Sequence, residues 1–107
     1  MNGSTFLHLS LKARSYNVAR LLIEIGAKRD IKNKDSDYPL HLAARLQKSS
    51  NRIEEEERVE VCRMILLNSH GLVHEVNNKN ETPLHLAAES GNTEMIRSLI
   101  SLSLIHI

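Results

Sequence analysis

Apolar residues in this chain gather in short blocks that recur, each carrying them at the spacing of one helical face. Asn17-Val18-Ala19-Arg20-Leu21-Leu22-Ile23, Glu60-Val61-Cys62-Arg63-Met64-Ile65-Leu66 and Glu94-Met95-Ile96-Arg97-Ser98-Leu99-Ile100 share one layout, with an Arg in fourth place. Ahead of each lies a shorter string built around a His: Thr5-Phe6-Leu7-His8-Leu9-Ser10, Tyr38-Pro39-Leu40-His41-Leu42-Ala43-Ala44 and Thr82-Pro83-Leu84-His85-Leu86-Ala87-Ala88. Strings and blocks together predict six helices in three pairs. Polar stretches separate the pairs, Asp30 to Asp37 most clearly, and predict hairpin turns near residues 30–38 and 74–82. Leu40, Leu42, Ala43, Leu84, Leu86 and Ala87 are the expected core.

The spacing fixes the register. His8 and His41 stand 33 residues apart, whereas His41 and His85 stand 44 apart, an excess of 11. Thr5 to Asn17 and Thr82 to Glu94 are both 12 residues, but Tyr38 to Glu60 is 22. Ten of the extra residues therefore lie between the two helices of the middle unit. The eleventh falls after Leu66, in the Asn68–Val76 connection. The inserted stretch, Gln47 to Glu57, reads as a solvated loop plus an extra helical turn. Its run Glu54–Glu57 suits the positive end of a helix dipole. A partner-specific acidic patch is the sharper reading of the same residues.

Local signals agree with the helices. Thr82 can cap a helix that Pro83 opens, since a first helical position has no use for the missing N–H. Gly91-Asn92 and Gly26-Ala27 mark the ends of helices.

A fixed period and strings such as Thr-Pro-Leu-His-Leu-Ala-Ala and Leu-Leu-Ile-Glu-Ile-Gly-Ala resemble the ankyrin repeat family, from about Asn2 to Ile100. The resemblance implies an all-α, ankyrin-type helical repeat solenoid with short β-hairpin finger loops. Units fall at about 2–32, 33–76 and 77–101, the last truncated, within a repeat domain of residues 1–101. Fingers and first helices would line a concave groove that grips a partner protein. By family position that groove takes Lys34, Asp35, Asp37, Lys79 and Glu81 from the fingers. Lys12, Arg45, Leu46, Glu89 and Ser90 would come from the first helices. Two departures stand out. The finger-turn glycine of the family is Gly3 in the first unit but Ser36 and Asn80 in the others. Tyr38 replaces the capping Thr, so the middle finger is expected to be less regular.

Composition narrows the chemistry. Net charge is +1 with no dense Lys/Arg cluster, which argues against nucleic acid. The single cysteine, Cys62, cannot form an internal disulfide and replaces Ala19 and Ile96 of the sister blocks, so it reads as a small buried hydrophobe. No apolar run approaches the ~20 residues of a membrane span, and no secretory signal is visible. His8, His41 and His85 would stand about 10 Å apart in a stack, too far to share a zinc. His70 and His74 lack a third ligand. No Gly-rich phosphate loop and no nucleophile motif is present, so neither cofactor nor catalysis is expected.

Residues 102–107, Leu-Ser-Leu-Ile-His-Ile, correspond to the translation of a sequencing-library adaptor and are expected to be a non-native tail. Both ends read as cut, so a fragment of a longer array is expected. The expected function is an intracellular, cytoplasmic or nuclear, scaffold or adaptor that binds another protein. An alternative is the cytosolic segment of an ion channel. Cys62 to Leu66, Leu72 to Asn77 and Thr82 to His85 are similar to late repeats of ankyrin-type transient receptor potential channels. An enzyme with an appended array is a third reading.

Overall fold

Six α-helices and one 3-10 turn follow the expected order in the computed structural model, which describes residues 5–45, 51–66, 70–91 and 93–104. The helices are α1 (Phe6–Lys12), α2 (Tyr16–Glu24), α3 (Pro39–Arg45), α4 (Arg52–Leu66), α5 (Pro83–Glu89) and α6 (Thr93–Leu104). The first helix of each pair packs on the first helix of the next, so α1, α3 and α5 form one layer. The second helices, α2, α4 and α6, form the other. No strand occurs among the described residues, and each finger is a tight hairpin turn.

Local chemistry starts and stops the helices. Thr5 and Thr82 each accept the backbone N–H of the His three residues on, and that His ring accepts the threonine N–H in return. Two orphan donors are thus met at each helix start. Termination uses left-handed backbone: Gly26 at φ 100° after α2 and Gly91 at φ 69° after α5. Arg14 does the same job after α1 at φ 60°, where it occupies the place of Gly91.

Leu7, Leu11, Leu40, Val61, Ile65, Leu66 and Leu99 form the buried core, with Ala43, Ala44 and Ala87 letting the inner helices approach closely. Leu84 departs from the expected core. Its equivalents Leu7 and Leu40 are buried, but Leu84 is 37% exposed, because no fourth unit covers that face among the described residues. Leu72 and Val73, from the 3-10 turn at His70–His74, add core contacts that no periodicity signalled.

The insertion is mostly helix. Asn51 caps α4, its Oδ1 accepting from the N–H groups of Ile53 (2.9 Å) and Glu54 (3.2 Å). The counterpart of Tyr16, which opens α2, is Val59, so α4 starts two turns early. The single extra helical turn expected beside a solvated loop is thus corrected to about two turns, and residues 46–50, where most of the loop was expected, lie outside the described residues. Within the extension Ile53 is exposed, while Glu55 and Arg58 are buried as an ion pair at 3.0 Å. Helix α6 runs to Leu104, three residues into the stretch expected as a tail, whose residues 105–107 are not described.

Candidate functional site

Two fingers share one bonding plan. In the first, Asn33 Oδ1 accepts from the N–H groups of Asp35 and Asp37 while Asn33 N donates to Asp37 O. In the second, Asn77 Oδ1 accepts from Lys79 and Glu81, and Asn77 N donates to Glu81 O. Ser36 and Asn80, at φ 60° and 59°, turn the two tips. The middle finger is therefore as regular as its neighbour, contrary to expectation. Tyr38 keeps the backbone half of the cap by donating its N–H to His41 Nδ1, and its ring stacks on the imidazole at 5.9 Å. The organising residues Asn33 and Asn77 were legible as asparagines five positions before Tyr38 and Thr82.

Histidines fasten one unit to the next. Thr5 N donates to His8 Nδ1, which leaves the proton on Nε2 to be given to the carbonyl of Asp37 at 2.9 Å. His41 repeats the pattern one unit on, reaching the carbonyls of Glu75 (2.9 Å) and Glu81 (3.0 Å). Burial lowers the His41 pKa against the pull of those carbonyls and of Asp37, so the ring stays neutral. These rings are structural ties. Among the described residues no group of three or more His, Cys, Asp or Glu could hold a metal ion.

Asp37 is the centre of the site. Its side chain is buried and accepts two bonds of 3.0 Å from the Arg45 guanidinium, and a third of 3.0 Å from Asn77 Nδ2. Burial would raise the Asp37 pKa, but the bonds from Arg45 and Asn77 outweigh it and hold the carboxyl below its usual range. Asp37 was expected to touch a partner. Its carboxylate is instead spent inside the protein, where it aims Arg45 and joins the two fingers.

The expected contact residues divide into groups. Asp35, Asp37, Arg45 and Lys79 come together around one cavity of about 380 Å³, completed by Asn77 and Asn78. Asn78 links the finger tips, its N–H donating to Asp35 O and its Nδ2 to Lys34 O. Lys12, Lys34 and Glu89 are exposed outside that cavity. Glu81 is drawn inward by Asn77 Nδ2 at 3.0 Å, and Ser90 Oγ is bonded to Ala87 O. Leu46 lies outside the described residues.

The acidic run does not form one exposed patch. Glu54 meets Arg14 of the first unit at 3.3 Å, Glu56 meets Arg52 at 3.3 Å, and Glu55 is buried against Arg58. Cys62 is fully buried with its thiol 3.7 Å from Met95 Sδ, and burial pushes its pKa up to about 12. It packs as a hydrophobe, in a setting that disfavours the thiolate. Among the described residues no helix is long and apolar enough to cross a membrane.

Paired helices, fingers at one register and His-to-finger ties define a stacked helical repeat. The family of ankyrin repeats (3 copies) matches residues 29–106, and the single ankyrin repeat matches residues 2–34. The chain belongs to the ankyrin repeat family, whose members are in general protein-interaction modules and typically not enzymes. It is 27% identical over 117 residues to a fowlpox virus (strain NVSL) protein named as ankyrin repeat protein FPV222. That match takes in 89% of this chain and 16% of the relative's length.

Proposed function

We propose that this chain binds a partner protein through the concave surface between its fingers and inner helices. The cavity lined by Asp35, Arg45, Asn78 and Lys79 carries the reading. Two of its polar side chains, Arg45 and Asn78, are held in place before any partner arrives, which lowers the ordering cost of association. Asp37 fixes the direction of Arg45, and Asn78 locks the spacing of the tips. Signs alternate around the rim, so the surface suits a partner read by register and charge pattern. The lone buried thiol supports action inside the cell.

A photo-crosslinking amino acid placed at Asn78 should yield a partner adduct in cells. The same probe at Arg97, exposed on α6 in the layer of second helices, should not. Charge reversal by Lys79→Glu should weaken the Asn78 adduct. Adducts formed from Arg97 alone would end the groove reading.

A further inference from the structure

The cavity at the two fingers has more open side-chain donors than acceptors. Asp37 is fully engaged: its Oδ1 accepts from Arg45 and Asn77, and its Oδ2 accepts from Arg45. A guanidinium carries five N–H groups, of which Asp37 takes two, so three of Arg45 are left. Those three have no partner among the described residues. The Lys79 ammonium, exposed at the same cavity, meets no acid among the described residues. Against these donors stand the Asp35 carboxylate and Asn78 Oδ1 as the open side-chain acceptors.

The repeat register adds a direction to that surplus. Asp37 and Arg45 stand four residues before and four after His41, where the first unit has Ser4 and Lys12 and the third has Glu81 and Glu89. A buried carboxylate gripping an arginine is thus a feature of the middle unit. Along the layer of α1, α3 and α5 the same position runs Lys12, Arg45, Glu89, all exposed. Two cations followed by an acid attract an anion at the first and middle units and repel it at the third. Asp37 does not cancel the attraction, because it is buried and a partner meets the guanidinium first.

Granted that the groove binds a protein, as proposed above, we infer that its cavity receives an acidic side chain of the partner, the carboxylate accepting N–H groups from Arg45 and Lys79. A carboxylate matches the planar fork of an arginine, and this fork is already set in one direction by a buried aspartate. At about 380 Å³ the cavity is near the lower end of the roughly 300–1,000 Å³ of small-ligand clefts, room for one side chain and its flanking backbone. Asp35 opposes the anion and is free to accept a backbone N–H of the same segment. A basic side chain would face Arg45 and Lys79 with Asp35 as the one exposed carboxylate of the cavity to answer it.

Fluorescence polarisation on the whole chain at low salt tests this, with fluorescein-labelled hexaglutamate as the probe and labelled hexaglutamine and hexalysine for comparison. Hexaglutamate should bind saturably and more tightly than either. Lys79→Gln should weaken it roughly 2- to 5-fold, the range of an exposed charge pair, and Asp35→Asn should tighten it. Arg97→Gln removes a cation on α6, outside the cavity, and should change nothing, which separates the cavity from attraction to overall charge. All three sites are exposed, and a helical circular dichroism spectrum checks each fold. Tighter binding of hexalysine, or equal weakening by Lys79→Gln and Arg97→Gln, would overturn the inference. Absence of hexaglutamate binding would overturn it too, and Asn78 adducts that still form in cells would then show that the groove stands and the carboxylate alone fails.

Discussion

Arg45 grips Asp37 end-on, with Nη1 to Oδ2 and Nη2 to Oδ1 both at 3.0 Å. The Arg45 side chain is 43% exposed while that of Asp37 is 4% exposed, so the pair bridges surface and interior. Arg45→Ala should leave a buried carboxylate with Asn77 as its remaining side-chain donor. A loss of about 1–3 kcal/mol is expected, below the figure for a fully buried pair because water can partly replace the guanidinium. Urea melts measure it. A loss below about 0.5 kcal/mol would show that Asp37 does not depend on Arg45.

Ser36→Gly should stabilise the protein. Ser36 sits at φ 60°, a region that costs an L-residue about 1–2 kcal/mol, while glycine gives back about 0.5–1 kcal/mol through its unfolded-state freedom. The net gain should be roughly 0.5–1 kcal/mol by chemical denaturation, with the same sign for Asn80→Gly. A loss of stability at Ser36 would mean its side chain holds the turn.

Deleting residues 48–57 should destabilise strongly, although it restores the 12-residue spacing of the sister units. Six of the ten residues are helical, and Glu55 is among them. Arg58 would remain buried without its carboxylate partner, at a cost of about 3–5 kcal/mol. The double change Glu55→Met with Arg58→Met should cost far less, since an apolar pair can replace a buried ionic one. Equal melting of the deletion and the wild type would show that the inserted residues add nothing to the packing.

Leu40→Ala and Leu84→Ala should separate, although the two residues are equivalent in sequence. Leu40 is fully buried and should cost about 2–5 kcal/mol. Leu84, partly exposed, should cost less than about 1.5 kcal/mol. Equal losses in urea would show that the last unit is packed as tightly as the middle one.

Stability should fall as the solution is acidified below about pH 6.5. The folded His41 pKa lies below its ordinary value, so the unfolded chain takes up the proton first and is favoured. Asp37 acts in the same direction at lower pH, because its folded pKa is depressed and its contribution disappears as the carboxylate is protonated. Melts at pH 7.5, 6.5 and 5.5 would show the decline. A flat or rising profile toward pH 5.5 would contradict the neutral, buried state of His41.

The helices, their pairing and the turning positions Ser36 and Asn80 were legible because each is a property of one repeat read against its siblings. Asp37 stands on a finger, and its buried bonds to Arg45 and Asn77 were not foreseen. Nothing in the period says that Arg45, eight residues on, folds back over it. The burial of Glu55 was hidden for a related reason. An inserted segment has no sibling to align with, and a run of four glutamates looks uniformly solvated until a helix sorts them by face. Leu84 misled in the opposite way, since lying in the last of the described units is not written in the residue or its neighbours.

Among the described residues the histidine ties that cross between units run in one direction. His8 on α1 holds the backbone of Asp37 in the following unit, and His41 on α3 holds Glu81 in the one after together with Glu75 at the end of its own unit. Each finger is therefore positioned by the unit before it. A lesion at His8 would be felt less in its own unit than in the aim of Arg45, which depends on where Asp37 is held. The array has an upstream and a downstream, and mechanical precision passes along it as a debt from each unit to its predecessor.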